Sequence, residues 1–585
     1  MRSNVVRRIL VLGICVTLAG TMLFGCGRQS AGDSHETEGE TVADGVTTGG
    51  DVSDESVSDE SGAKKDDTTG DLADTQADPQ EHTPEGEQTK EDPVAEPIEE
   101  DKDGAVYCAA QFEGMKRTMP YKLYGEHNPV MTQAFGADPY ALVYDDTVYL
   151  YMTGDVLETS GGTVGNNTFG KINTLHIVKS KDLVNWTDCG EIKINGSKGV
   201  TKWANNSWAP AICMKNIDGK DQFFLYFANG GGGIGVLVAD SPEGPFTDPL
   251  GKALVTWSSP GVPGVVWLFD PAVFVDDDGT GYLYFGGGVP EGKQDNPGTG
   301  RVVKLTDDMI HLDGEAKALE IPYLFEDSGI NKIGDTYYYS YCSNWNVPSM
   351  AESGLPIESA QICYMTSKSP MGPFELQGTV LRNPGAYFGI WGTNHHCMFE
   401  FKGQYYIAYH SQVLEKKMGY EGKGYRCTHI DKVTVNEDGS LSSFGTTTGV
   451  EQVCNFSLED VVEAETMSTM GGIEVVKIRD SKAETGERMV VSAIETGDFI
   501  FLSNVDFAQG KNHFRITARS GNEDGFIEIR LDTIGGPVVG YVRLAGETEG
   551  FQEFECDLLE TVTGVHNLLF TFCGEGFTLD KWCFE

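Results

Sequence analysis

One pattern, written five times between Tyr107 and about Asn455, limits what this chain can fold into more than any other feature of its sequence. Each copy opens on a short apolar strand headed by a polar or small residue. It turns on Asp or Gly and returns through a strand of alternating aromatics. The first runs from Asp138-Pro-Tyr through Asp145-Asp146 to Val148-Tyr-Leu-Tyr, the second from Ala209 through Asp218-Gly219 to Phe223-Phe-Leu-Tyr. The third runs from Asp270-Pro-Ala through Asp277-Asp278-Gly279 to Tyr282-Leu-Tyr, the fourth from Glu326-Asp-Ser through Gly334-Asp335 to Tyr337-Tyr-Tyr. The fifth runs from His395-His-Cys through Lys402-Gly403 to Tyr405-Tyr-Ile. Period-2 apolar runs on either side of a tight turn predict β-hairpins.

The spacing of the openings leaves room for two more strands in each copy, among them Leu175-His-Ile-Val, Gly235-Val-Leu-Val, Val302-Val-Lys-Leu and Gln361-Ile-Cys-Tyr. Five units of about four strands predict an all-β chain with a five-bladed β-propeller over residues 105–455. From about Phe456 the style changes to short alternating strands such as Phe514-Arg-Ile-Thr and Ile527-Glu-Ile-Arg-Leu. This predicts a β-sandwich of jelly-roll type over residues 456–585.

The first 104 residues do not read as folded protein. Arg2, Arg7 and Arg8 precede the apolar run Ile9 to Phe24, which makes residues 1–26 an export signal. Its ending, Leu23-Phe24-Gly25-Cys26, resembles a bacterial lipobox. That implies lipidation of Cys26 and a mature chain anchored outside a bacterial cell membrane. Residues 27–104 contain no Phe, Tyr or Trp and carry 25 acids against 5 Lys and Arg, so they predict a disordered acidic linker. A net charge of −45 excludes a nucleic-acid partner, which needs a basic face. Eleven cysteines follow Cys26 without CxxC spacing, and they read as buried free thiols rather than a zinc site or a disulfide framework.

In a propeller the first strand of every blade lines the central channel, so equivalent positions converge on one ring. The openings put Asp138, Ala209, Asp270, Glu326 and His395 there. One Asp-Pro alone is an ordinary turn. Three acids in the same phase are costly to bury together, and that cost points to function. Glycoside hydrolysis needs such a set: an acid for the leaving oxygen, a carboxylate for the water, and a third carboxylate to tune the acid.

These segments resemble glycoside hydrolase family 43, through Gly136-Ala-Asp138-Pro-Tyr, Trp208-Ala-Pro-Ala, Phe269-Asp270-Pro-Ala-Val, Phe325-Glu326-Asp-Ser, Asn394-His395-His396 and Tyr406-Ile-Ala-Tyr-His410. The resemblance implies an inverting mechanism with Asp138 as general base, Glu326 as general acid and Asp270 as the pKa modulator. It implies that His395 either contacts a channel calcium or is a hydrogen-bonded channel histidine. Arg426 and His396 are expected at the substrate, with a surface salt bridge as the other reading of Arg426. Trp208, Phe135 and Trp267 either stack on sugar or pack between blades. The fifth-copy stretch Gly392-Thr-Asn-His-His with Gly424-Tyr-Arg resembles the arabinoxylan arabinofuranohydrolases in particular.

The last segment resembles carbohydrate-binding module family 6, which implies a structural calcium held by Glu463, Glu465 and Asp580, or else plain surface acids there. Phe551 and Phe554 stand where tryptophans are common in that family, and Trp582 reads as core. The expected function is release of α-L-arabinofuranosyl groups from arabinoxylan or a related plant polysaccharide, with no organic cofactor. A β-xylosidase, an endo-1,5-α-L-arabinanase and a non-catalytic glycan-binding surface protein are the alternatives.

Overall fold

The computed structural model describes residues 104–585 apart from 459, 483–485 and 522; the export signal, Cys26 and the acidic linker up to residue 103 lie outside the described residues. All five hairpins form where the period-2 pattern places them. Phe135–Tyr144 pairs with Thr147–Asp155, Trp208–Ile217 with Lys220–Ala228, and Ala272–Val275 with Gly281–Phe285. Leu324–Ile333 pairs with Thr336–Ser343, and His396–Phe401 with Gln404–Ser411. Each hairpin starts an antiparallel sheet, and the first, third, fourth and fifth sheets add two further strands from their own copy. The second sheet ends at Ile234–Ala239 and has beyond it the isolated bridges Ile234–Val255 and, nearer the turn, Val238–Thr247. Pro249 follows that bridge at once and supplies no amide for a ladder.

The first strand of each sheet packs on the first strands of the sheets before and after it, and the fifth closes on the first. The aromatic alternation of the second strands explains how neighbouring sheets are joined. Tyr151 donates its hydroxyl to the Pro242 carbonyl at 2.5 Å, Tyr226 to Met309 at 2.6 Å and Tyr284 to Pro370 at 2.5 Å. All three rings are fully buried, so each gives apolar area to the core and spends its polar tip on the next sheet.

Residues 456–585 form two six-stranded sheets around a core that includes Phe514, Phe570, Trp582 and Phe584. Trp582 is 2% exposed, a core residue as read. All eleven described cysteines are free, and six are buried. The segment expected to open the propeller lies elsewhere. The helix Ala105–Gln111 packs on the sandwich strands Gly525–Leu531 and Val538–Leu544, with Tyr107 edge-on to Phe526.

Candidate active site

The openings of four inner strands share an unusual backbone. Asp138, Ala209, Asp270 and Asp327 have φ of 46°, 39°, 49° and 69°. Left-handed non-glycine residues cost about 1–3 kcal/mol each and persist only where their surroundings hold them. Here the surroundings are hydrogen bonds across sheets. The Ala209 amide donates to Thr153 Oγ1 at 2.8 Å and the Asp327 amide to Asp270 Oδ2 at 3.0 Å. The Asp138 amide lies 3.1 Å from His410 Nδ1. The fourth copy is therefore in phase at Asp327, one residue after the Glu326 expected there. The bulge between Glu326 and Gly329 absorbs the difference.

Asp138 is buried, and Arg426 Nη1 reaches its Oδ1 at 2.8 Å. Arg426 is clamped in turn by Asp155, through Nε at 3.0 Å, Nη2 at 2.8 Å and its own amide at 3.0 Å. Burial alone would raise the Asp138 carboxyl. The Arg426 guanidinium, then His410 and His395, outweigh burial and hold it well below the usual carboxylate range. Glu326 meets the opposite environment. Burial, then the charges of Asp138 and Asp327, push it up to about 8 against the opposing pull of Arg426. Asp270 is pushed up by burial and then by Glu326, Asp138 and Asp327. One pocket thus holds an ionised carboxylate beside a protonated one, the division of roles that acid and base catalysis need.

His395 sits at the centre of this group. Its Nδ1 is 3.7 Å from both Asp138 and Asp270, and its Nε2 is 3.2 Å from Asp327. An imidazole ringed by carboxylates fits the channel-histidine reading. His396 does not reach a substrate. It is fully buried, with Nδ1 2.5 Å from Asp327 Oδ2 and Nε2 2.7 Å from Ser340 Oγ. Both ring nitrogens are taken up, one by Asp327 and the other by Ser340. Arg426 is likewise no surface ion pair but a buried one, at 7% side-chain exposure.

The three aromatics divide. Phe135 is buried against Tyr425 and packs rather than stacks on sugar. Trp208 is half-buried, donates to the Phe169 carbonyl at 3.1 Å and stands edge-on to the Phe169 ring, which also carries the Arg426 guanidinium at 5.0 Å. Trp267 is half-buried and edge-on to Phe269 and Phe325, which precede Asp270 and Glu326 in sequence. Asp155, His410 and Asp327 belong to the site but were not read from sequence. Asp327 left a signal, since aligning Glu326-Asp327-Ser with the Asp-Pro openings by one residue would have found it, and His410 ends the motif Tyr406-Ile-Ala-Tyr-His410.

In the sandwich, Glu465 is 1% exposed and its Oε2 has no hydrogen-bond partner, while Glu463 is exposed. The Asp580 carboxylate is ion-paired with Arg488. Among the described residues no cluster of three or more His, Cys, Asp or Glu side chains is arranged to hold a metal. Phe551 lies under the Arg488 and Arg519 guanidiniums, at 4.9 and 5.9 Å.

Residues 126–441 match the family model of the glycosyl hydrolases family 43, and residues 463–585 that of the carbohydrate binding module (family 6). The chain is 46% identical over 484 residues to an arabinoxylan arabinofuranohydrolase of Bacillus subtilis (strain 168), covering 79% of this chain and 93% of that one. An arabinoxylan arabinofuranohydrolase of Paenibacillus polymyxa is 45% identical over 484 residues, covering 79% and 75%. Among solved structures, a family 43 arabinoxylan arabinofuranohydrolase from Bacillus subtilis in complex with cellotetraose superposes with a TM-score of 0.76 at 46% identity. It covers 80% of this chain and 99% of that one.

Proposed function

The chain belongs to glycosyl hydrolase family 43, and from that premise we propose that this inverting glycosidase releases α-L-arabinofuranosyl side groups from arabinoxylan. The observation that carries the chemistry is the opposed environment of two carboxylates in one pocket. Asp138, kept ionised by Arg426, takes a proton from water as it attacks the anomeric carbon. Glu326, kept protonated by burial and its anionic neighbours, gives its proton to the departing xylosyl oxygen. Asp270 accepts the Asp327 amide at 3.0 Å and so holds in place the carboxylate whose charge, with that of Asp138, raises Glu326. The choice of substrate rests on the likeness to the two arabinoxylan arabinofuranohydrolases.

Five sheets whose inner strands meet in cyclic order support a five-bladed propeller as the frame of this site. For the sandwich we read polysaccharide binding from its family. Glu465 has an orphaned deep oxygen, and burial with the charges of Glu463, Asp188 and Asp580 pushes it up to about 9; a hard cation such as calcium would offset that cost and let it ionise. A melting temperature unmoved by chelator would remove that assignment. From the lipobox-like ending at Cys26 we infer an enzyme held outside a bacterial membrane on a Cys26 anchor, and a mature amino terminus without acyl mass would refute it.

The test of function is sugar release from wheat arabinoxylan by wild type and by Glu326→Ala. Arabinose from wild type, reduced at least about a thousandfold in the variant, is the expected result. Xylose or arabino-oligosaccharides would move the activity to a β-xylosidase or endo-arabinanase. No release at all would make the chain a glycan-binding protein.

A further inference from the structure

Phe169 holds an uncommon conformation close to the catalytic base. Its φ is 58°, in the left-handed region, where a bulky residue stays only if its surroundings enforce it. Three hydrogen bonds do so here. Asn167 Oδ1 accepts the Phe169 amide at 2.9 Å, and the Phe169 carbonyl accepts the Trp208 indole N–H at 3.1 Å and the Ile172 amide at 3.3 Å. The result is a phenyl ring whose face lies under the Arg426 guanidinium, 5.0 Å from ring centre to guanidinium carbon. The ring takes none of the hydrogen bonds that Arg426 gives to Asp155 and Asp138. It offers the cation its negative face and keeps water from it.

The loop that carries Phe169 is fastened to the residues that lead into Arg426. The Asn167 amide donates to the Lys423 carbonyl at 2.7 Å, and Asn167 Nδ2 to the Gly424 carbonyl at 3.2 Å. Tyr425 is fully buried; its hydroxyl accepts the Glu158 amide at 2.9 Å and donates to the Gly165 carbonyl at 3.0 Å. Glu158 Oε1 in turn accepts the Thr168 amide at 2.9 Å and hydroxyl at 2.6 Å. Asn167 thus grips both ends of the contact: the backbone of Phe169 on one side and the approach to Arg426 on the other. Asp155, which also holds Arg426, ends the strand from which this loop departs.

We propose that Phe169 is a positioning residue for the reaction: fixed by Asn167, it holds the Arg426 guanidinium in register with Asp138 and Asp155. The inference rests on the reading of Asp138 as the base and adds a residue that no motif of the sequence marked. The charged and titratable groups facing Asp138 are Arg426, His410, His395, Glu326 and Asp270, and those facing Arg426 are Asp138, Asp155 and Glu326. Removing a neutral ring leaves every one of these in place. Any change in the titration of Asp138 then reports how well Arg426 is seated.

The experiment uses the full chain as wild type, Phe169→Ala and Phe169→Tyr, with kcat, KM and the pH profile read on 4-nitrophenyl α-L-arabinofuranoside. Phe169→Ala is expected to lower kcat about tenfold while KM stays within about twofold. Its acidic limb is expected at higher pH, because burial still raises Asp138 while its counter-charge is less well held. Phe169→Tyr keeps the ring and is expected to restore both. Phe169→Leu, which fills the space without a ring face, replaces Phe169→Ala if that variant does not fold. An acidic limb that stays in place overturns the proposal, whether or not kcat falls; a raised KM beside it would make Phe169 a contact of the sugar instead. Wild type that turns over only 4-nitrophenyl β-D-xyloside moves the substrate, and the same profiles on the xyloside then decide for or against Phe169. Wild type that turns over neither removes the base, and this proposal with it.

Discussion

Arg426 is the cation shared by two buried carboxylates, Asp138 and Asp155. Removing it leaves two charges without their partner in a dry site, which typically costs about 3–5 kcal/mol of stability. The pH profile separates that structural loss from the electrostatic one. As the proposed general acid Glu326 must be protonated, and it is pushed up to about 8, so kcat/KM is expected to fall as pH rises through that value. Asp138 is held well below the ordinary carboxylate range, so the acidic fall lies at lower pH than a free aspartate would give. In Arg426→Ala burial continues to raise Asp138 while its main counter-charge is gone, and the acidic limb moves to higher pH. Profiles on 4-nitrophenyl α-L-arabinofuranoside check both limbs, and an acidic limb that stays in place would refute Arg426 as the cause. At this scale Asp138 and Asp270 were legible because each heads a repeat. Asp155 was not, since it reaches the pocket from the end of a second strand, where neither period nor motif marks it, and His410 closes a quoted motif that gave it no role.

The strands that carry these residues tolerate little displacement. Gly287 follows the second strand of the third sheet and exchanges backbone hydrogen bonds with Trp267 at 3.0 and 3.1 Å. A Cβ there would stand 2.6 Å from the Phe325 carbonyl oxygen and 3.3 Å from the Glu326 Cα. Gly287→Ala must therefore push the opening of the Leu324–Ile333 strand, at about 1–3 kcal/mol for overpacking. Because Glu326 moves with that strand, kcat is expected to drop about tenfold or more. Gly535→Ala, where a Cβ meets nothing within 4 Å, is the control expected to change neither quantity. Full kcat in Gly287→Ala would mean that the strand opening is not what positions the acid. The hairpins were legible because their alternating aromatics do two jobs, filling the core and bonding the next sheet. The three-stranded second sheet was not, because the proline that stops it lies beyond the repeated pattern.

On the scale of the molecule, residues 456–585 are built into the body that holds the active site. Thr466–Met467 adds a fifth strand to the first sheet by pairing with Trp186 and Thr187. Beside it, Asn185 donates to the Ser503 carbonyl at 2.9 Å and accepts the Ser503 amide at 2.8 Å. Arg117 and Thr118, which precede the first hairpin, bond to Glu528 and Asp498 of the sandwich. None of this was legible in the sequence, which marks a change of style near residue 456 but gives no period for pairs only two residues long. The consequence is cooperative: calorimetry of the full chain is expected to give one transition covering both segments. Asn185→Ala leaves the buried Ser503 amide without its partner, while the Ser503 carbonyl keeps the Gln452 amide at 3.1 Å, and lowers stability by about 1–3 kcal/mol, again in one transition. A chain ending at residue 455 would bare the Trp186–Lys193 edge strand, an exposed template for pairing between copies, and is expected to aggregate on heating. Two resolved transitions in the full chain, or a truncated chain that melts like the whole, would mean that the sandwich is only tethered to the sheets it touches.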